Sequence, residues 1–115
     1  MKFFFLLTHV EEAWAKAPPE EAENVYQQYM ELEREMRAQG KLIESVRLRT
    51  CKEAKSIHNL PGGQRKFVDG PYNNSKEVMG GFYVLECVSM EEAYEWAMRM
   101  PNYGHGSIEV RPVWE

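Results

Sequence analysis

The first strand-like segment, residues 2–8, constrains the fold of this chain more than any other stretch. It carries aromatic and aliphatic side chains on both of its alternating faces, with Phe3-Phe4-Phe5-Leu6-Leu7 at its centre. A strand that is apolar on both faces is typical of the interior of a sheet that is covered on both sides. The run is too short to cross a bilayer, and no small-residue cleavage site follows it. We therefore expect a buried first strand and not a signal peptide or a membrane span.

The rest of the chain alternates between helix and strand patterns. Pro18-Pro19 opens a helix, since proline tolerates positions that need no amide donor, and Gly40 ends its apolar stripe. Ser89-Met90-Glu91-Glu92 is a capping box before a shorter helix, which Pro101 closes. A connecting segment is expected at residues 11–17. Strands are predicted at residues 2–8, 42–48, 81–88 and 108–114.

A polar hairpin is predicted between the second and third of these strands. Residues 52–58 and 64–68 flank Asn59-Leu60-Pro61-Gly62-Gly63, which is a run of strong turn residues. Without this insertion the order of elements is β-α-β-β-α-β, the ferredoxin-like arrangement of an α+β protein. Two helices cover only one face of a four-stranded sheet. Because the strands have apolar residues on both faces, we expect a second copy of the chain to cover the other face in a homodimer.

The properties of the whole chain narrow its class. Its 115 residues fit one domain, residues 1–115, and its net charge of −4 comes from interspersed acids and bases. Neither the clustered basic face of a nucleic-acid-binding protein nor a polybasic membrane patch is present. Cys51 and Cys87 have no C-x-x-C or zinc-ligand spacing, which predicts reduced thiols in a cytoplasmic protein. The histidines also lack fixed ligand spacing, so no metal and no other cofactor is expected.

Asp69 is the leading candidate for a site residue. It lies in the turn Val68-Asp69-Gly70-Pro71-Tyr72, which an acid, a glycine and a proline make rigid. A carboxylate in such a turn can act as a general base or can orient a substrate. It can also simply cap its own turn through its side chain. The sequence leaves both interpretations open.

His105 is the candidate proton carrier. Histidine titrates near neutral pH, and the flanking Gly104 and Gly106 would let a ligand approach closely. His105 can instead be a solvated loop histidine, and His9, at the end of the first strand, ranks second. The remaining candidate ligand contacts are Tyr72, Lys76, Glu77, Glu109 and Arg111. The charged residues among them can also form ordinary ion pairs on the surface.

Several spaced motifs carry a resemblance that covers nearly the whole chain. They are residues 68–72, Lys76-Glu77, Gly80-Gly81-Phe82-Tyr83, Glu91-Glu92-Ala93, Trp96-Ala97 and residues 106–112. Together they resemble the YCII-related family, and within it the branch with a DGPF-type turn. The resemblance implies a ferredoxin-like protomer that forms a dimeric α+β barrel. It also implies a histidine–aspartate combination, for which members of the family are regarded as enzymes. Asp69 carries over from the motif, and His105 is the histidine that we pair with it.

Different functions agree with these observations. The first is an enzyme that acts on a small metabolite by His/Asp acid–base chemistry in a dimer cleft, with Asp69 as acid, base or orienting group, His105 as proton partner and Arg111 as an anion contact. The second is a non-catalytic ligand-binding or regulatory module that acts with a transcription-related partner, in which residues 69–71 are structural. A scaffold whose main property is dimerisation is a third. The sequence does not decide whether the protein is an enzyme.

Overall fold

The computed structural model describes residues 1–101 and 105–115 of the chain. The described residues form a mixed α+β structure whose strands lie in antiparallel sheets. The elements in chain order are β1 (Lys2–Val10), α1 (Glu11–Lys16), α2 (Pro19–Ala38), β2 (Leu42–Arg47), β3 (Lys55–Asn59), β4 (Arg65–Asp69), β5 (Glu77–Glu86), α3 (Met90–Met98) and β6 (Ile108–Pro112). None of the described helices combines the length and the continuous apolar run that crossing a bilayer requires.

The main sheet has four strands in the order β2-β5-β1-β6. β1 pairs with β5 on one side and with β6 on the other, so the prediction of an interior first strand is confirmed. This strand order is compatible with the ferredoxin-like arrangement. β3 and β4 pair only with each other among the described residues and form the predicted hairpin insertion.

One face of the main sheet is buried under α2 and α3. The core between these layers contains Phe3 and Phe5 of β1, Met36 of α2, Leu85 of β5, and Cys87 directly after β5. The ends of both helices follow the sequence signals. Pro19 stands in the first turn of α2, and Ser89 caps α3 by accepting a hydrogen bond from the Glu92 amide. Cys87 is buried in this core.

Within residues 1–101 and 105–115, no layer of helices covers the opposite face of the main sheet. Because side chains alternate along a strand, Phe4 and Leu6 point away from the buried Phe3 and Phe5. Phe82 and Val84 of β5 pair with these two residues in the register of β1 and β5. The rings of Phe4 and Phe82 stack with their centroids 5.1 Å apart. The second face therefore has an apolar centre that is only partly shielded from solvent.

Several boundaries differ from those predicted. Residues 11–16 form a short helix and not a connecting segment. In it Lys16 Nζ lies 3.0 Å from Oε1 of Glu12, one turn earlier. β3 begins at Lys55, because residues 51–53 form a 3₁₀ turn. β5 begins at Glu77, before Gly80-Gly81, since a register shift lets the strand pass through the glycines. Part of the predicted loop 102–106 lies outside the described residues.

Candidate functional site

A cleft of about 290 Å³ lies between the end of β1 and the loop that follows β4. Three separate stretches of the chain form its wall, within residues 10–12, at residue 51 and within residues 71–78, and the last of these begins in the predicted Asp69 turn. Its polar groups include carboxylates, amides, a hydroxyl and an ammonium. The lining residues are Val10, Glu11, Glu12, Cys51, Pro71, Asn73, Asn74, Ser75, Lys76 and Val78. A larger groove of about 530 Å³ runs along α2 beside Arg99. Its wall comes almost entirely from one exposed helix face, so we regard the smaller cleft as the candidate site.

Glu11 is the carboxylate that the fold fixes at this cleft. It is the first residue of α1, directly after β1 ends at Val10. The backbone N–H of Cys51 donates to both of its oxygens, at 3.0 Å from Oε2 and 3.4 Å from Oε1. The side chain is 30% exposed. The 3₁₀ turn at residues 51–53 thus orients the carboxylate while one side stays open to the cleft.

His9 stands beside Glu11. Its Nε2 lies 3.8 Å from Glu11 Oε2, and its side chain is 30% exposed. Contacts of this length are common in ligand-free sites and shorten when a ligand binds. Burial lowers the pKa of His9, and the nearby charges of His105 and Arg47 act in the same direction, while Glu11 opposes them. The neutral imidazole is therefore favoured near pH 7, and it can accept a proton.

Trp14 links the imidazole to the edge strand β2. The ring centroids of His9 and Trp14 are 6.5 Å apart, and the guanidinium of Arg47 lies 5.9 Å from the centroid of the Trp14 ring. A ring that lies beside both a cation and an imidazole limits how far either side chain can move. This packing restricts His9 to the neighbourhood of Glu11.

His105 approaches the same end of β1 from the loop before β6. Its Nδ1 accepts a hydrogen bond from the Val10 amide at 3.3 Å, so the neutral ring carries its proton on Nε2. The loop comes this close because Gly106 has a φ of +84°, and a Cβ there would stand 2.3 Å from the Thr8 carbonyl oxygen. The position of His105 is also reflected in its electrostatic effect on His9.

Glu77 belongs to the same region. The hydroxyl of Thr8 donates to its Oε1 at 2.6 Å, and the Ser107 amide donates to the Thr8 hydroxyl at 2.7 Å. Hydrogen bonds from Ser107 and Thr8 lower the pKa of Glu77, and the nearby His105 acts in the same direction. Of the predicted site residues, the structure thus brings Glu77 and His105 to one end of β1.

Asp69 is the last residue of β4. Its side chain is 89% exposed, and its Oδ1 accepts a hydrogen bond from Lys55 Nζ at 2.7 Å across the hairpin. The following residue, Gly70, donates its amide to the Ala54 carbonyl at 2.8 Å and accepts from the Ser56 hydroxyl at 2.7 Å. These bonds hold the turn from which Pro71 reaches the cleft. The catalytic role of Asp69 stays a prediction.

The remaining predicted contacts lie in different places. Lys76 lines the cleft, whereas Tyr72 is 75% exposed. Glu109 and Arg111 form an ion pair at 2.7 Å on one face of β6. In the register of the sheet they stand opposite Leu6 and Phe4, so they border the uncovered apolar face of the sheet. They are therefore better placed for a contact with another surface than for a ligand in the cleft.

Glu11 and Cys51 were not among the residues that the sequence singled out. Glu11 could have been found, because it follows a strand end two residues after a histidine. Cys51 gives no such signal, since its contact with Glu11 joins residues 40 positions apart. Burial and the neighbouring Glu11 raise the pKa of the Cys51 thiol, so this thiol is not an activated nucleophile. Within residues 1–101 and 105–115, no group of three His, Cys, Asp or Glu side chains is arranged to hold a metal ion.

Comparisons with known proteins find similarity along the whole chain. A family model described as YCII-related domain matches residues 1–115. An uncharacterized protein of Rhizobium meliloti (strain 1021) is 34% identical over 106 residues, which represent 90% of this chain and 82% of that protein. The match to the family model therefore includes all residues that line the cleft, and also His9 and His105.

Proposed function

The chain belongs to the YCII-related family, and we propose that it is a small-metabolite enzyme that moves protons in the cleft beside β1. The observation that carries this proposal is the pairing of Glu11, which lines the polar cleft, with His9, which lies next to Glu11 outside the cleft wall; His9 Nε2 is 3.8 Å from Glu11 Oε2. A carboxylate that orients a neutral imidazole is a common acid–base arrangement. The chemistry remains of the histidine–carboxylate type that the family resemblance implies.

Glu11 and His9 have different roles, which follow from their different surroundings. The Cys51 amide holds the Glu11 carboxylate in place, so its free lone pairs can face a ligand. The Glu11 carboxylate takes the proton from the ligand and passes it to the neutral His9, and the same carboxylate then stabilises the imidazolium that forms until the proton returns. His105 carries a proton on Nε2 and is the second proton carrier behind His9. The alternative carboxylate for this chemistry is Asp69, the acid that the family motif supplies, with His105 as its partner.

The cleft favours a small polar ligand. Its volume of about 290 Å³ is at the lower end for ligand-binding sites. Asn73, Asn74 and Ser75 supply amide and hydroxyl groups, and Lys76 supplies a cation that suits an anionic or hydroxylated ligand. We assign the chain to the DGPF-type branch of the family and place its activity in the cytoplasm, where Cys51 and Cys87 remain reduced thiols.

Proton transfer to carbon can be tested without knowledge of the natural reaction. A panel of small hydroxy acids, keto acids and hydroxylated aromatic acids is incubated with the protein in D₂O, and deuterium uptake at carbon is followed by NMR. We expect faster uptake for at least one class of compound. Binding of a compound without exchange would instead support the ligand-binding module. If no compound binds or exchanges, the proposed site is wrong.

We further propose that the functional unit is a homodimer in which two uncovered sheet faces pack together, as in a dimeric α+β barrel. The apolar centre of this face, Phe4, Leu6, Phe82 and Val84, supports a sheet-to-sheet contact. Glu109 and Arg111 at its border carry opposite charges, which a two-fold partner can match. The chain measures only 18 Å along its shortest axis, which is thin for a protein of this length.

A charge in the middle of this face should prevent dimerisation. We expect wild-type protein to have about twice the chain mass of 13.5 kDa in light scattering, and Phe82→Asp to have the mass of one chain, because its carboxylate would be buried without a partner. Phe67→Asp is the matched control, since Phe67 is 75% exposed on the hairpin. A monomeric wild-type protein, or a dimeric Phe82→Asp variant, would contradict the sheet-to-sheet arrangement.

A further inference from the structure

Gly80 is the residue on β5 against which the imidazole of His9 lies. A Cβ built on Gly80 would stand 2.1 Å from Nδ1 and 2.5 Å from Cε1 of His9. Carbon atoms in ordinary contact stay about 3.5 Å or more from such neighbours. Any side chain at position 80 would therefore displace the imidazole by more than about 1 Å. Gly80 is not among the residues with positive φ, so its backbone conformation does not itself require glycine.

The backbone around Gly80 is irregular in a way that favours this contact. The pairing of β1 with β5 shifts between Leu7, which pairs with Gly81, and Thr8, which pairs with Met79. Gly80 is therefore the extra residue of a β-bulge, and its carbonyl accepts a hydrogen bond from the Leu48 amide at 2.9 Å. Bulges often redirect side chains beside functional sites. Here the bulge places the Gly80 backbone, which carries no side chain, next to the His9 imidazole.

We propose that Gly80 is a positioning residue: the missing side chain at position 80 seats the His9 imidazole against β5 and thereby aims it at Glu11. This role rests on the proposed function only for its effect on catalysis, because the contact itself belongs to the fold. Elsewhere His9 has Glu11 and Trp14 of α1 as neighbours, and the charges of Arg47 and His105 act on it electrostatically. On the side of β5, the imidazole fits only because residue 80 has no side chain.

The neighbouring Gly81 is a matched control with a different role. A Cβ there would stand 2.5 Å from the carbonyl oxygen of Val46, which is backbone of β2. A side chain such as His9 can swing away from a new methyl group, whereas a paired strand cannot. Gly81→Ala should therefore lower the melting temperature through the pairing of β2 with β5. Gly80→Ala should mainly move His9.

The experiment follows the His9 ring by NMR in the full-length protein. The Cε1–H signal is assigned by its loss in His9→Gln, and it is titrated with pH in wild type, Gly80→Ala and Gly81→Ala. In Gly80→Ala we expect a changed chemical shift and a higher pKa of His9, because the displaced ring is less buried. Gly81→Ala should leave the His9 titration close to wild type. An unchanged His9 titration in Gly80→Ala overturns the proposal.

A double-mutant comparison keeps the test decisive if Gly80→Ala folds poorly. We expect any fall in melting temperature caused by Gly80→Ala to disappear in the His9→Ala background, and the fall caused by Gly81→Ala to persist there. An equal cost of Gly80→Ala in both backgrounds, including failure to fold in both, overturns the proposal. With a substrate from the deuterium screen, Gly80→Ala should slow exchange by up to about 100-fold. If the His9 signal moves but wild type exchanges no compound, the positioning role stands and the proposed function fails.

Discussion

A Glu11→Gln variant is expected to lose proton-exchange activity by about 10²- to 10⁴-fold, the usual contribution of a positioned acid–base group. Glutamine keeps an oxygen that can accept the Cys51 N–H, so the local structure should survive. It removes the negative charge that stabilises the imidazolium of His9 across 3.8 Å. The measurement is the rate of deuterium uptake for the best compound of the screen, with the free energy of unfolding measured beside it.

Glu12→Gln is the matched control for this variant. Glu12 lines the same cleft and follows Glu11 directly on α1, but its carboxylate pairs with Lys16 at 3.0 Å and its side chain is 74% exposed. We expect activity close to wild type. If both variants lose activity to the same extent, the cleft requires only negative charge, and the specific role of Glu11 is wrong.

The His/Asp pair implied by the family resemblance is tested in the same assay. His105→Asn places an amide oxygen where Nδ1 accepts from Val10, so it preserves this bond and removes the proton carrier. For Asp69→Asn we expect activity near wild type, because the Asp69 side chain is 89% exposed and paired with Lys55. If Asp69→Asn lowers the exchange rate as much as Glu11→Gln does, Asp69 has a catalytic role.

Local signals in the sequence predicted much of the fold. The two-sided apolar pattern of Phe3 to Leu7 predicts an interior strand, and the structure places β1 between β5 and β6. Capping at Ser89 and the start of α2 at Pro19 follow from hydrogen-bonding and dihedral requirements that a few neighbouring residues satisfy. The helix α1 was missed because its six residues have too few turns for a clear apolar stripe.

The site was harder to predict, because its contacts join distant parts of the chain. The Asp69 turn that the sequence singled out leads into residues 73–76, which line the candidate cleft. It could not show that Glu11 meets the Cys51 amide, or that the bulge at Gly80 provides space for His9. These relations depend on the register of β1 and β5 and on the path of residues 51–53, neither of which leaves a local pattern. A motif predicts where a turn lies, while tertiary packing decides which carboxylate reaches the imidazole.

A buried polar network should contribute measurably to the stability of this fold. Glu33 of α2 is only 7% exposed, and its Oε1 accepts hydrogen bonds from Tyr83 Oη at 2.8 Å and from Ser45 Oγ at 2.7 Å. The three residues join α2 to β5 and β2. Burial and the hydrogen bond to Glu33 raise the pKa of Tyr83 far above its usual range, so the phenol is always a donor. Buried donors of this kind are costly when their acceptor is removed.

Glu33→Ala is therefore expected to lower the free energy of unfolding by about 3 kcal/mol, since it leaves the buried Tyr83 hydroxyl without its acceptor. Tyr83→Phe is the matched control: it removes the donor but keeps the ring, and Glu33 retains Ser45, so a loss of about 1 kcal/mol is expected.

In the double variant Glu33→Leu with Tyr83→Phe, apolar groups replace both partners, and most of the loss should be recovered. Urea unfolding at one fixed protein concentration measures all three, because dimerisation makes stability depend on concentration. A Glu33→Ala variant within about 0.5 kcal/mol of wild type would mean that water replaces the carboxylate and that the network does not hold α2 on the sheet.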